Sequence, residues 1–303
     1  MAAAWTARSG DVELHVTEAG PRTGSPVLLL HGFPDSAALW RHQVGALAAA
    51  GHRVLAPDLR GFGASTRPAD VGAYAMPHLV ADVAAVLDAA GAPRAAVVGH
   101  DWGAVLAWAF TRAAPERVER LVAVSVGHPR ATAAGGLQQA LRSWYIYLFL
   151  LPGVAERVVP AADWAFVRRL FWGGASPADE PDLARQLADL ARPGALAAGL
   201  AWYRANLRPT RLPRGGGGRS AVTGDPVVRC PVMGVWSSAD PALTEAQMLA
   251  SQRFVAGPWR YERLDGVDHW VPVHAAARLS ALLVAFLADD RLADDRLAEG
   301  RPA

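Results

Sequence analysis

The sequence predicts an α/β fold, with a mostly parallel sheet flanked by helices and one helical insertion. Three observations lead there. From residue 12 to residue 125, short apolar runs alternate with amphipathic helical segments. The strand pattern then stops between about Pro129 and Pro213. It resumes at Val232. Unbroken apolar runs are the signature of strands covered on both faces, which is how parallel strands sit between two helical layers.

The elements follow in order. Val12 to Thr17 alternates as an edge strand does. Turn chemistry from Gly20 to Pro26 leads into Pro26–Leu30, a continuous apolar strand that ends at His31-Gly-Phe-Pro34. Ala37 to Ala50 reads as a helix with Trp40, Val44 and Leu47 on one face, stopped by Gly51. Arg53 to Ala56 is a second buried strand, ending at Pro57-Asp58. Pro77 to Ala90 is an amphipathic helix carrying Leu79, Val83, Val86 and Leu87. The strand Arg94–Val98 runs directly into Gly99-His-Asp-Trp-Gly103 and a helix to about Ala113, and Glu119–Ser125 is the next strand. After the helical block come the strands Val232–Trp236 and Arg260–Leu264 and the helices Thr244–Val255 and Pro272–Leu287. The chain therefore divides into a first core part (1–128), a helical cap (129–218), a second core part (219–290) and a charged tail (291–303). Gly215–Gly218 reads as a flexible link at the far end of the cap, and the tail as disordered.

Composition narrows the functional classes. The 303 residues are 52% hydrophobic, enough for a sizeable core. The 30 basic residues, all arginine, nearly balance 28 acidic ones, so no electrostatic case for nucleic acid arises. One cysteine, Cys230, excludes an intramolecular disulfide and a cysteine-rich zinc site. The apolar run Trp144–Leu151 is far shorter than the roughly 20 residues that span a bilayer. Met1 to His15 lacks the pattern of a secretory signal, and with the lone cysteine this favours the cytoplasm. A monomer and a homodimer are both compatible with the sequence.

Gly99-His-Asp-Trp-Gly103 carries the chemistry. A strand, a glycine-flanked sharp turn and a helix form the context of a nucleophile elbow, normally G-x-S-x-G. Here the central residue is Asp101. Aspartate also caps helices, so the position alone has two readings, cap and nucleophile. A serine attacking a saturated carbon would leave an ether that water does not cleave. A carboxylate attacking the same carbon leaves an alkyl ester, whose carbonyl water can attack. An aspartate nucleophile therefore points to epoxides or alkyl halides as substrates.

At this point the chain resembles the α/β-hydrolase-fold epoxide hydrolases, from about residue 10 to 288. The resemblance rests on His31-Gly-Phe-Pro34, Asp58-Leu-Arg-Gly-Phe-Gly63, Gly99-His-Asp-Trp-Gly-Ala104, Pro152-Gly-Val-Ala-Glu156, Trp202-Tyr-Arg204 and His269-Trp270. It implies the α/β-hydrolase fold and the order nucleophile, acid, histidine. Asp240 falls in the acid position and His269 in the histidine position, 29 residues later. By the resemblance His269 activates water and Asp240 orients it. Asp268, beside the histidine, is the competing acid, disfavoured because adjacent side chains in a turn diverge. The backbone N–H groups of Phe33 and Trp102 would form the oxyanion hole. The resemblance also implies two cap tyrosines that donate to the epoxide oxygen. Spacing to Pro152 selects Tyr145, with Tyr147 as a substitute, and Trp-Tyr-Arg selects Tyr203.

Phe33, Trp102, Tyr147 and Trp270 are the expected substrate-binding residues. His128 is a further candidate for lining the pocket. Cap aromatics including Trp144, Phe149, Trp164, Phe166, Phe171 and Trp172 suggest an apolar pocket for a hydrophobic or aryl epoxide. No metal or cofactor is expected. The alternatives are a haloalkane or haloacid dehalogenase on the same fold, and an inactive ligand-binding homologue.

Overall fold

The computed structural model describes residues 3–207, 226–289 and 291. One eight-stranded sheet forms its centre. The strands are β1 (Ala3–Ser9), β2 (Val12–Ala19), β3 (Pro26–Leu30), β4 (Arg53–Pro57), β5 (Ala95–His100), β6 (Val118–Val124), β7 (Val232–Ser237) and β8 (Trp259–Leu264). Their spatial order is β1-β2-β4-β3-β5-β6-β7-β8. The first two ladders are antiparallel and the rest parallel. The predicted strand at Val12 is therefore not the edge. Every residue of β1 pairs with β2 and takes that place. The mostly exposed β1 has little apolar alternation to announce it.

The apolar runs are the buried strands. Leu28, Leu29, Leu30, Val97, Val98 and Leu121 to Val124 are fully covered. Helices α1 (Arg41–Ala49), α2 (Met76–Ala89) and α3 (Trp102–Ala113) pack on the sheet. The predicted 37–50 helix opens as a 3-10 turn, Ala37–Trp40, before α1 begins. Gly51, with φ +92°, ends that segment in a conformation that suits glycine.

Between β6 and β7 the described residues hold helices and no strand. These are α4 (Gly136–Arg142), α5 (Trp144–Phe149), α6 (Ala155–Val158), α7 (Ala161–Phe171), α8 (Pro181–Leu190) and α9 (Ala195–Asn206). After β7 follow α10 (Glu245–Ala250), α11 (Val271–His274) and α12 (Ala276–Leu287). The predicted 244–255 helix tightens into a 3-10 turn at Ser251–Phe254, and the 272–287 helix breaks at Ala275. The link at Gly215–Gly218, the cap boundary at 218 and all of the tail but Arg291 lie outside the described residues. No helix among the described residues is long and apolar enough to cross a membrane.

Candidate active site

Parallel strands bring their carboxyl ends to one edge of the sheet, and loops from that edge converge. Leu30 of β3 stands opposite Gly99 of β5, so Phe33 and Asp101, just beyond them, meet. Asp101 adopts φ 52° and ψ −122°, a conformation costing a non-glycine residue about 1–3 kcal/mol. Three glycines make the turn sterically possible. A Cβ on Gly99 would lie 2.3 Å from the Gly103 carbonyl oxygen, and one on Gly103 would lie 2.0 Å from that of Leu30. A Cβ on Gly32 would lie 2.3 Å from Asp101 Oδ1. Strand, loop and helix thus close tightly enough to lift the carboxylate above the sheet.

The Asp101 side chain does not cap α3. Its Oδ1 instead accepts a hydrogen bond from the Phe33 backbone N–H at 2.9 Å. The Phe33–Pro34 peptide is cis. Burial pushes the Asp101 carboxyl above its ordinary pKa, while the His269 charge and the Trp102 and Phe33 backbone N–H groups hold it down.

Asp240 lies beyond β7 and His269 beyond β8. Asp240 Oδ1 accepts from the backbone N–H groups of Ala242 (2.8 Å) and Leu243 (3.0 Å). Its Oδ2 lies 2.8 Å from His269 Nδ1. That contact turns His269 Nε2 toward Asp101, 3.8 Å from Oδ2. Burial alone would lower the His269 pKa, but the Asp240 carboxylate, helped by Asp101, raises it to about 9. Behind the ring stands His100, whose Nε2 is 2.9 Å from the His269 carbonyl oxygen. A carbonyl only accepts, so that nitrogen carries the proton. His100 thus supports the histidine loop.

The cap brings aromatics over the carboxylate. Tyr203, on α9, packs edge-on against Trp102 (5.0 Å between ring centres), Phe33 (5.6 Å) and Phe149 (4.9 Å). Tyr145, on α5, packs against Phe149 (5.4 Å) and Phe171 (5.5 Å). Both tyrosines are buried. Burial first and the Asp101 charge second push both phenols well above their ordinary pKa, so both stay protonated donors near the carboxylate. A hydrogen bond with the Trp102 side chain opposes that rise at Tyr203. Gly199 makes room for the cluster, because a Cβ there would lie 2.6 Å from the Phe33 ring.

Comparison with known proteins places the chain in a family. Residues 25–274 match the family described as alpha/beta hydrolase fold. Epoxide hydrolase A of Mycobacterium tuberculosis is 34% identical over 93% of this chain and 96% of its own. This chain belongs to the epoxide hydrolase family of the α/β-hydrolase fold. An epoxide hydrolase of Caballeronia sordidicola is 32% identical over 91% of each chain. The crystal structure of epoxide hydrolase A from Mycobacterium thermoresistibile superposes with a TM-score of 0.78. It is 29% identical and covers 95% of this chain and 99% of that one.

Within this family member, several predicted site residues stand elsewhere. Tyr147 is 62% exposed, turned outward two residues after the buried Tyr145. Trp270 is buried. Its indole donates to the Phe171 carbonyl at 2.8 Å and stacks on Trp172, tying the cap to the His269 loop. His128, expected near the pocket, packs between Trp108 and Phe254. Asp268, the competing acid, binds His274 Nδ1 at 2.8 Å.

Sequence reasoning also missed the latch beside the Phe33 loop. Buried Asp35 accepts from Arg185 (2.6 and 3.1 Å) and from Gln186 (2.6 Å) of α8. Arg41 pairs with Asp182 on the same helix at 2.6 Å. Only the position of Asp35, directly after Pro34, could have hinted at it.

Proposed function

We propose that this chain hydrolyses a hydrophobic epoxide to a vicinal diol through an ester on Asp101. One observation carries the reading: Asp101 Oδ1 is held by the Phe33 N–H at 2.9 Å and Oδ2 lies 3.8 Å from His269 Nε2, with two buried tyrosines close enough to feel the carboxylate charge. Oδ2 attacks an epoxide carbon, forming the ester C–O bond as the ring C–O bond breaks. Tyr145 and Tyr203 donate hydrogen bonds to the departing oxygen, and one of them supplies its proton. Water then attacks the ester carbonyl carbon, giving its proton to His269 Nε2. Asp240 stabilises the imidazolium. The negative oxygen of the intermediate is held by the Phe33 and Trp102 N–H groups. Collapse expels the diol as an alkoxide, which takes the proton from His269. The Asp101 carboxylic acid left behind gives its proton, through water, back to the tyrosinate, so both groups return to their starting state.

The separation of 3.8 Å between Nε2 and Oδ2 supports this division of labour. It is too long for a hydrogen bond, so Nε2 remains available to water. The aromatic surroundings, Phe33, Trp102, Phe149 and Phe171, favour an apolar or aryl substituent. The helices from Gly136 to Asn206 act as the lid in this reading. A cytoplasmic setting, expected from the lone cysteine, accompanies it.

Single-turnover hydrolysis of styrene oxide in 18O-labelled water tests the mechanism. The label should enter Asp101, and the first diol should carry none. Label in the first diol overturns the covalent route. Faster bromide release from bromoalkanes than diol formation assigns the site to dehalogenation. No turnover of either class leaves a binding protein.

A further inference from the structure

Two cap motifs, Pro152-Gly-Val-Ala-Glu156 and Trp202-Tyr-Arg204, are joined by one guanidinium. Arg204 Nη1 and Nη2 lie 2.5 and 3.1 Å from the two carboxylate oxygens of Glu156. Its Nε donates to the Phe149 carbonyl at 2.9 Å, and Nη2 donates to that of Leu151 at 3.3 Å. The Phe149 carbonyl ends α5, where intrahelical donors run out and a cation is favoured, and the Leu151 carbonyl, just beyond it, also accepts from the Ala155 N–H. Glu156 is itself fixed by the Gly153 N–H at 2.8 Å. Only 10% of the Arg204 side chain is exposed.

The clamp has both tyrosines on its arms. Arg204 follows Tyr203 on α9, and Phe149 closes the helix that carries Tyr145. The Phe149 ring lies against both tyrosine rings, 4.9 Å from Tyr203 and 5.4 Å from Tyr145. Backbone held from behind and a ring packed against both phenols leave little freedom in their spacing. The Glu156 carboxyl is held below its ordinary pKa, chiefly by its bond to Arg204 and against the effect of burial, so the pair stays ionised.

We propose that Arg204 and Glu156 are positioning residues for ring opening, setting the distance between the Tyr145 and Tyr203 hydroxyls. This rests on the epoxide-hydrolase reading above. Displacing an oriented group by about 1 Å can cost ~100-fold in rate. Lysine does not reproduce a forked guanidinium contact.

The test is single-turnover kinetics with styrene oxide on wild type, Arg204→Lys and the milder Glu156→Gln. Ester formation should slow about 10- to 100-fold in Arg204→Lys and about 10-fold in Glu156→Gln. Ester hydrolysis should stay within about twofold. Arg204→Lys should also cost much less when added to Tyr203→Phe, since the residue it positions is already gone. Normal ester formation in Glu156→Gln, equal slowing of both steps, or additivity with Tyr203→Phe overturns the inference. If Arg204→Lys does not fold, Glu156→Gln decides alone, with the same additivity test. Wild-type protein that forms no ester overturns the epoxide reading and this inference with it; a normal wild type with unaffected variants overturns only the clamp.

Discussion

His269 Nδ1 lies 2.8 Å from Asp240 Oδ2, while the other Asp240 oxygen is occupied by two backbone N–H groups. The acid is therefore fixed before it fixes the histidine. Asp240→Asn preserves size but removes the charge that raises the His269 pKa to about 9. Ester hydrolysis is expected to fall by about 10³-fold or more, with ester formation far less affected. Rapid-quench measurement of both steps checks this.

His269→Gln removes the base but leaves the Asp101 carboxylate held by Phe33. The ester should then form and persist. Intact-protein mass spectrometry should show one substrate added per chain, and peptide mapping should place it on Asp101. Absence of the adduct in a folded variant would remove His269 from the hydrolysis step.

The histidine also links activity to pH. It is a base only when neutral, yet the free enzyme holds it protonated up to about pH 9, partly through the Asp101 charge. Esterification neutralises Asp101 and removes that contribution. The pH midpoint for ester hydrolysis should therefore lie below 9, with the rate rising as pH rises through it. A single-turnover pH profile measures it.

Stability should follow the opposite course. A folded-state pKa of about 9 against an ordinary 6.5 stabilises the fold below pH 6.5, and that contribution is lost as pH rises through 9. The loss is at most about 3 kcal/mol. Thermal unfolding from pH 6 to 10 should show it in wild type and show a flatter profile in His269→Gln.

Much of this site was legible because its chemistry is local. Strand, glycines and helix around Asp101 form one contiguous segment, and Asp240 and His269 each follow a strand at the same sheet edge. Other features were not legible because they depend on distant contacts. Asp240, favoured over Asp268 from the sequence, does stand against His269, but the contact of Asp268 with His274 depends on the direction of each side chain. The outward face of Tyr147 follows from how a six-residue helix sits on its neighbours. The latch at Asp35 joins residues 150 apart in sequence. β1 escaped because its stability comes from pairing with β2 and not from an apolar pattern of its own.

Gly32→Ala tests the close approach beneath the carboxylate. The new methyl would stand 2.3 Å from Asp101 Oδ1 and 2.5 Å from its Cβ. The carboxylate must swing away from the Phe33 N–H. Both ester formation and ester hydrolysis should fall, by about 100-fold. Circular dichroism should remain that of wild type.

The tyrosines separate ring opening from hydrolysis. Tyr145 and Tyr203 are buried near Asp101, whereas Tyr147 lies on the cap surface. A proton donor in the transition state is worth ~10²- to 10⁴-fold, but two donors share one oxygen here. Each single phenylalanine substitution at 145 or 203 should slow ester formation by about 10- to 100-fold, and the double substitution by more than about 10³-fold. Ester hydrolysis, which needs neither phenol, should be unchanged. Tyr147→Phe should match wild type in both steps. Pre-steady-state quench-flow with an aryl epoxide distinguishes the two steps. A loss in Tyr147→Phe equal to that in Tyr145→Phe would reverse the assignment of the first cap tyrosine.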